Sequence, residues 1–110
     1  MLADRVRAHP GDILFTKHWF DVFTNSNVEP VLAVLNPQHI VLYGVAQDVC
    51  DRYAVDGLRT RHPAIRLFVV RDAMCPIDPA AGERLLRQWS DEGVRIVATN
   101  DVVAGGCPAA

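Results

Sequence analysis

Short runs of consecutive hydrophobic residues recur along the chain and alternate with segments that have helical spacing. The runs occupy residues 13–16, 40–46, 65–70 and 94–98. The run at 40–46 (IVLYGVA) is nearly continuous, and this pattern is typical of strands that are buried on both faces of a parallel sheet. We therefore predict four strands at these positions.

Three helices are predicted between the strands. The first, over 28–35, has apolar residues at helical spacing. Ser26 and Glu29 fit a capping box, but that start would place Pro30 where it removes the first intrahelical hydrogen bond. With Asn27 as the N-cap, Pro30 occupies the third helical position, where its missing N–H costs nothing. We therefore prefer Asn27 as the N-cap.

The other two helices begin near Asp48 and at Asp78. Asp78 is a good N-cap, Pro79 suits the first helical position, and Gly93 suits the position just after the last turn. The order β-α-β-α-β-α-β predicts parallel strands with right-handed crossovers. We expect one domain over residues 1–110, a three-layer α/β/α sandwich with a Rossmann-like parallel sheet. The helix after Asp48 should bury Val49, Cys50, Tyr53, Ala54, Gly57 and Leu58.

Composition and charge exclude several classes of protein. Half of the 110 residues are hydrophobic and the net charge is -2, so we expect a packed core and no nucleic-acid partner. No long apolar run or signal sequence is visible, which predicts a cytoplasmic protein that does not bind membranes. The three cysteines form no CxxC pair, which argues against a disulfide framework or a zinc site. No nucleotide-binding glycine motif occurs, and no cofactor is expected.

Cys50 is the strongest candidate for a catalytic residue. Ligands of parallel sheets bind outside the C-terminal ends of the strands. Cys50 falls in the first turn of the helix that follows the run at 40–46. A helix N-terminus favours the thiolate, which is the nucleophilic form of cysteine. The alternative is a small core residue on an apolar helix face, and position alone favours that interpretation.

Lys17 is the second candidate. It follows the predicted strand at 13–16 and precedes Trp19, Phe20 and Phe23. A lysine that is partly desolvated among aromatic rings can assist proton transfer or hold a neighbouring thiolate. The alternative is a surface lysine at the end of a strand, and position alone favours it.

Three segments resemble the isochorismatase-like hydrolases, a superfamily that includes nicotinamidases and related amidases. They are K-H-W-F-D-V-F-T-N-S-N-V-E-P-V-L at 17–32, V-L-Y-G-V-A-Q-D-V-C at 41–50, and R-D-A-M at 71–74. The stretch G-V-A-x-D-x-C is the most specific element of the resemblance. With it, the nucleophile becomes the favoured interpretation of Cys50.

The resemblance implies the mechanism of a cysteine hydrolase. Cys50 corresponds to the nucleophile that attacks the carbonyl carbon of a small amide and forms a thioester, and Lys17 corresponds to the lysine of the catalytic triad. A cis peptide bond before Ala46 would aim the N–H groups of Ala46 and Cys50 at the developing oxyanion. No bound metal is expected, and a homo-oligomer is left open. The substrate pocket would include the aromatic residues Trp19, Phe20 and Phe23.

The sequence departs from the family at the triad aspartate. In the family this residue ends the first strand of a longer chain, whereas Asp4 and Asp12 occupy other positions here. The family's sheet order resembles 3-2-1-4-5-6, of which this chain supplies the equivalents of strands 3 to 6. We therefore expect the C-terminal part of an isochorismatase-like domain, truncated before its N-terminal strands. Asp51 is a further departure, because a carboxylate beside the nucleophile works against the thiolate.

Two functions remain open at this stage. The first is hydrolysis of a small amide or a related substrate, with the carboxylate supplied by a longer chain or by another chain. The alternative is a truncated, inactive family remnant with a structural or oligomerising role. A flavodoxin-like binding domain would leave Lys17 and Cys50 unexplained. Without the aspartate we expect little or no amide turnover, because the loss of one member of a catalytic unit costs nearly as much as the loss of all.

Overall fold

The computed structural model describes residues 10–105, so Asp4 and the tail at 106–110 lie outside the described residues. Among the described helices, none is long and apolar enough to cross a membrane. A 3₁₀ turn at Val22–Thr24 precedes the first α-helix, and a π-helical turn at Gln47–Asp51 leads directly into the second. The elements in chain order are α1 Val28–Leu35, β1 His39–Val45, α2 Arg52–Arg61, β2 Arg66–Cys75, α3 Pro79–Asp91, β3 Arg95–Val97 and α4 Thr99–Gly105.

The three strands form one parallel sheet in the order β1-β2-β3. Parallel neighbours need crossover connections, which α2 and α3 supply here. Side chains of α1, α2 and α3 pack on one face of the sheet, and Val102 of α4 packs on the other. The predicted α/β class, with a parallel sheet flanked by helices, is confirmed.

The core is built around β2, which is buried on both faces. Val69 packs against α2 and α3, whereas Phe68 and Val70 face the side of α4. Val55 of α2 and Trp89 of α3 have no exposed surface. Burial of a large apolar side chain contributes about 1.5–3 kcal/mol, so these contacts fix how the helices sit on the sheet.

The predicted strand at 13–16 is wrong for the described chain, because residues 12–17 belong to no sheet. Ile13 and Leu14 are more than half exposed, at 52% and 55%. A strand is stabilised by hydrogen bonds to a neighbouring strand, and no described strand pairs with this segment. An apolar run by itself does not provide that partner.

β2 continues well past the predicted end of its apolar run and reaches Cys75. Leu42 of β1 pairs with Val69, but Gly44 pairs with Met74. Four residues of β2 therefore stand opposite a single residue of β1, which makes a bulge next to the C-terminal end of β1. Bulges are frequent beside active sites, where they redirect side chains.

The bulge also explains α4, which the sequence does not predict. Asp72 lies in the bulge, and its Oδ1 accepts hydrogen bonds from the N–H and the hydroxyl of Thr99 (2.7 and 2.9 Å). Asp101 accepts the N–H of Ala98 at 2.8 Å. Carboxylates at a helix N-terminus satisfy N–H groups that have no partner within the helix. One of the two carboxylates comes from β2, so the cap depends on the fold.

The predicted helix starts are confirmed, with one difference in capping. Asp78 Oδ1 accepts the N–H of Ala80 (3.1 Å) and Pro79 begins α3, as the sequence predicts. Gly93 has the positive φ of +100° that suits its place after that helix. Asn27 precedes α1 without a side-chain cap, and its own N–H is held by Asn25 Oδ1 at 2.9 Å.

Candidate active site

The candidate site lies at the C-terminal end of β1, where the chain turns into α2. The peptide bond before Ala46 is cis. The carbonyl of Ala46 accepts the N–H groups of Val49 and Asp51 (3.2 and 3.1 Å), and the second bond closes a π-helical turn. Such turns are rare and are frequently found at functional sites. Cys50 lies in this turn, half-buried, at the head of a helix, as the sequence predicts.

Lys17 reaches Cys50 from a distant part of the chain. Its Nζ lies 3.4 Å from Cys50 Sγ and 3.1 Å from the carbonyl oxygen of Trp19, and it donates to both. The two acceptors fix the direction of the ammonium. Lys17, Ala46 and Cys50 thus lie at the same edge of the sheet, although Lys17 follows a segment without regular secondary structure and not a strand.

The three aromatic residues after Lys17 divide into two groups. Trp19 and Phe20 are exposed, at 70% and 55%. Phe23 packs against the core, and the guanidinium of Arg61 lies 4.4 Å from its ring centroid. Trp19 and Phe20 are therefore available beside Lys17, whereas Phe23 anchors the segment to α2.

Local hydrogen bonds hold the segment that carries Lys17. Asp21 Oδ1 accepts the N–H of Phe23 at 2.9 Å, and its carbonyl accepts the hydroxyl of Thr24 at 2.6 Å. Asn25 Nδ2 donates to the carbonyl of Thr16 at 2.7 Å, directly before the lysine. Sequence reasoning did not assign these positioning residues, although aspartate and asparagine commonly form such turns.

Gln47 and Asp48, which precede Cys50 in the turn, connect this turn to α3 and to the loop that precedes α3. Gln47 is buried and donates from Nε2 to the carbonyl of Gly82 at 2.8 Å. Asp48 accepts the N–H groups of Ile77 and Asp78 at 2.9 and 3.0 Å. These two backbone donors hold the pKa of Asp48 below its usual value. No local pattern in the sequence indicates these contacts, because the partners lie 29 to 35 residues away along the chain.

Asp51 is a buried carboxylate directly after the candidate nucleophile. It is 7% exposed, and its Oδ2 has no hydrogen-bond partner among the described residues. A Cβ on Gly44 would lie 3.5 Å from Asp51 Oδ1, and the φ of +131° at Gly44 also favours glycine. Burial raises the pKa of Asp51, and the positive charge of Lys17 opposes this rise.

Concave surfaces in the described chain occur at both edges of the sheet. A cleft of about 430 Å³ lies beside the turn and is lined by Gln47, Asp72 and Cys75. A larger one of about 680 Å³ lies at the opposite edge, around His39 and His62. The volume of a cleft therefore does not by itself identify the candidate active site. Within residues 10–105, no three or more histidine, cysteine or acidic side chains form a group that could hold a metal ion.

The sequence pattern of the isochorismatase domain family matches residues 1–101. The chain belongs to the isochorismatase family. No curated protein sequence matches it significantly. Its fold is similar to that of several solved structures.

One is an isochorismatase family protein from Desulfovibrio vulgaris, with 18% identity and a TM-score of 0.76 over 93% of this isochorismatase-family chain and 53% of the other. A nicotinamidase from Bacillus subtilis gives 19% identity and a TM-score of 0.63, over 74% of this chain and 44% of that one. Identities this low show the shared fold.

The N-carbamoylsarcosine amidase from Thermoplasma acidophilum is 26% identical, with a TM-score of 0.71 over 88% of this chain and 54% of the other. The isochorismatase-family chain thus spans about half the length of the solved structures that it matches.

Proposed function

We propose that the chain is a cysteine hydrolase that acts on a small amide, with Cys50 as the nucleophile and Lys17 as its partner. The observation that carries this proposal is the distance of 3.4 Å between Lys17 Nζ and Cys50 Sγ. The ammonium donates to the sulfur, so it can hold the attacking sulfur in place and stabilise negative charge on it during the reaction. The thiolate is the form that attacks carbonyl carbons.

In the proposed reaction the Cys50 sulfur attacks the carbonyl carbon of the substrate. The negative charge that develops on the carbonyl oxygen would be stabilised by the N–H groups of Ala46 and Cys50, and one such donor contributes about 3 kcal/mol in a transition state. The tetrahedral intermediate then breaks its C–N bond, and the leaving nitrogen takes up the proton that the thiol gave up and departs as ammonia or an amine. A thioester is left on Cys50. Water hydrolyses the thioester and regenerates the thiol.

The family supports a small amide as the class of substrate. Solved relatives include a nicotinamidase and an N-carbamoylsarcosine amidase, whose names both denote hydrolysis of a C–N bond in a small molecule. We expect the rings of Trp19 and Phe20, which are exposed and follow Lys17 in the chain, to contact such a substrate. A cytoplasmic location and the absence of a nucleic-acid partner stay predictions from the sequence.

An inactive family remnant is the second candidate. The observation that favours it is Asp51, a carboxylate with 7% exposure directly after Cys50, because a second negative charge on the neighbouring sulfur would be unfavourable there. In this case Lys17 and Cys50 would keep their geometry without turnover, and the chain would serve a structural or oligomerising role.

Acylation of the purified chain tests Cys50 as the nucleophile, and a turnover assay then separates the two candidates. p-Nitrophenyl acetate is mixed with the parent chain and with a Cys50→Ala variant, and the acetylated residue is identified by mass spectrometry. We expect fast acetylation of Cys50 in the parent and none of the other cysteines on that timescale. Equal release of p-nitrophenol by the two proteins would refute Cys50 as the nucleophile. Release of ammonia from nicotinamide then measures whether acylation leads to turnover.

A further inference from the structure

We propose that Arg61 is a positioning residue for the Lys17–Cys50 pair and that it acts through the ring of Phe23. The inference rests on the proposed function, because the position of the ammonium matters only if Cys50 acts as a nucleophile. Arg61 is the last residue of α2, whereas Cys50 lies in the turn before the first residue of that helix. About 15 Å of helix separates the two, so any influence of Arg61 on the sulfur is indirect.

The segment that carries Lys17 is a closed loop over residues 16–25. Asn25 Nδ2 donates to the carbonyl oxygen of Thr16 at 2.7 Å, which ties the two ends of the loop together. Within the loop, Lys17 Nζ donates to the carbonyl oxygen of Trp19 at 3.1 Å. No strand among residues 10–105 pairs with the start of this loop. Its position relative to the end of β1 therefore depends on the side chains that attach it to the helices.

Phe23 attaches the loop to α2. Its ring packs against the core and approaches Gly57 so closely that a Cβ at Gly57 would overlap with two ring carbons. The guanidinium of Arg61 lies over the same ring, 4.4 Å from its centroid. A cation in this place is attracted to the negative face of an aromatic ring. The ring therefore contacts both the backbone of α2 and a cation on the last turn of that helix.

The guanidinium of Arg61 is itself held in place by two further contacts. It folds back along α2, since a Cβ at Gly57 would lie 2.9 Å from its Nη1. Its Nε lies 4.0 Å from Oε1 of Glu29 on α1, and His62 Nε2 lies 3.1 Å from both oxygens of that carboxylate. Glu29 thus connects the end of α2 to the helix that directly follows the loop. Loss of the guanidinium would remove the cation that restrains the orientation of the ring.

The alternative is a role of Arg61 in stability alone. Arg61 and Arg59 are both basic residues in the last turn of α2, where positive charge complements the helix dipole. The side chains of Arg61 and Glu29 are 44% and 46% exposed, and ion pairs this exposed contribute little to stability. What distinguishes Arg61 is its contact with Phe23, because the guanidinium of Arg59 instead binds Glu92 at 2.6 Å.

The test is a double-mutant cycle that follows the Cys50 thiol. Iodoacetamide kinetics are measured at neutral pH in a Cys75→Ser, Cys107→Ser background, because Cys75 is also free and exposed. We expect Arg61→Met to slow the alkylation of Cys50 about two- to fivefold when Lys17 is present. In a Lys17→Met chain the same substitution should leave the rate unchanged, because the ammonium that Arg61 positions is gone.

Two control variants accompany the cycle. Arg61→Lys keeps a cation that can lie over the ring of Phe23, and it should retain most of the rate. Arg59→Met removes the neighbouring basic residue of the same helix and should leave the rate unchanged. Thermal unfolding is recorded for each variant, and we expect Arg61→Met to lower the melting temperature no more than Arg59→Met does.

The outcomes separate this proposal from the proposed function. A rate in Arg61→Met equal to that in Arg59→Met would overturn the positioning role. An equal loss of rate with and without Lys17 would also overturn it, because that loss would not pass through the ammonium. The cysteine hydrolase itself is rejected by a different result, which is equal acylation of the parent and the Cys50→Ala variant.

Discussion

The ammonium of Lys17 lies 3.4 Å from the sulfur of Cys50, although 33 residues separate them in the sequence. Lys17 lies at the end of a segment without regular secondary structure, and Cys50 lies in the turn that leads into α2. The contact therefore depends on how the segment before α1 is held against the end of β1. Hydrogen bonds of Asp21 and Asn25, together with the packing of Phe23, provide that hold.

Removal of the positive charge of Lys17 should slow the alkylation of the Cys50 thiol. In a background without Cys75 and Cys107, we expect Lys17→Met to lower the rate of Cys50 alkylation at neutral pH about tenfold, because the thiolate loses its neighbouring cation. Lys17→Arg should retain most of the rate. Arg52→Met is the matched control, since it removes an exposed cation next to the same turn. A rate in Lys17→Met equal to that of the control would mean that the contact does not influence the thiol.

Asp51 should reduce stability at neutral pH. Its folded-state pKa is raised by burial, so the unfolded chain ionises first, and the native state loses relative stability as the pH rises from about 4 through the folded pKa. We expect Asp51→Asn to be more stable than the parent at pH 7 by on the order of 1 kcal/mol. The difference should vanish near pH 3, where the carboxyl is protonated in both states. Thermal unfolding at a series of pH values measures it.

Asp48 should show the opposite pH dependence. The N–H groups of Ile77 and Asp78 lower its pKa, so its contribution to stability is present above about pH 4 and is lost as the pH falls through the folded pKa. We expect the melting temperature of Asp48→Asn to fall less steeply between pH 4 and pH 2 than that of the parent. Parallel curves for the two proteins would contradict this prediction.

Gly57 should not tolerate a methyl group, although alanine is normally the better helix former. A Cβ at this position would overlap with two ring carbons of Phe23. We expect Gly57→Ala to destabilise the fold by about 1–3 kcal/mol, as overpacked core substitutions do. It should also slow Cys50 alkylation, because Phe23 anchors the segment that carries Lys17.

Two further variants check the cause of that effect. Thr60→Ala, at an exposed position of the same helix, should be neutral or slightly stabilising. Phe23→Leu combined with Gly57→Ala should recover part of the lost stability, because the smaller side chain relieves the contact. If Gly57→Ala destabilises the fold equally with phenylalanine or leucine at position 23, the contact with Phe23 is not the cause.

The sequence by itself determined the parts of the molecule whose signals are local. The apolar runs at 40–46, 65–70 and 94–98 became β1, the buried half of β2, and β3. Asp78 and Pro79 start α3 as predicted, and the pattern G-V-A-x-D-x-C places Cys50 at the head of a helix. Each of these features depends on side-chain spacing or on a cap within a few residues.

Only the tertiary structure decided the features that need a distant partner. Residues 13–16 have the composition of a strand, but a strand forms only where another strand offers its hydrogen bonds. α4 is capped by Asp72 from the bulge of β2, and the turn of Cys50 is tied to Ile77 through Asp48. The burial of Asp51 could not be read from its neighbours, because solvent exposure depends on how Gly44 and the rest of β1 pack against the turn. The packing around a carboxylate sets its dielectric environment. The fold also brings Lys17 to the turn that carries Cys50 and Asp51.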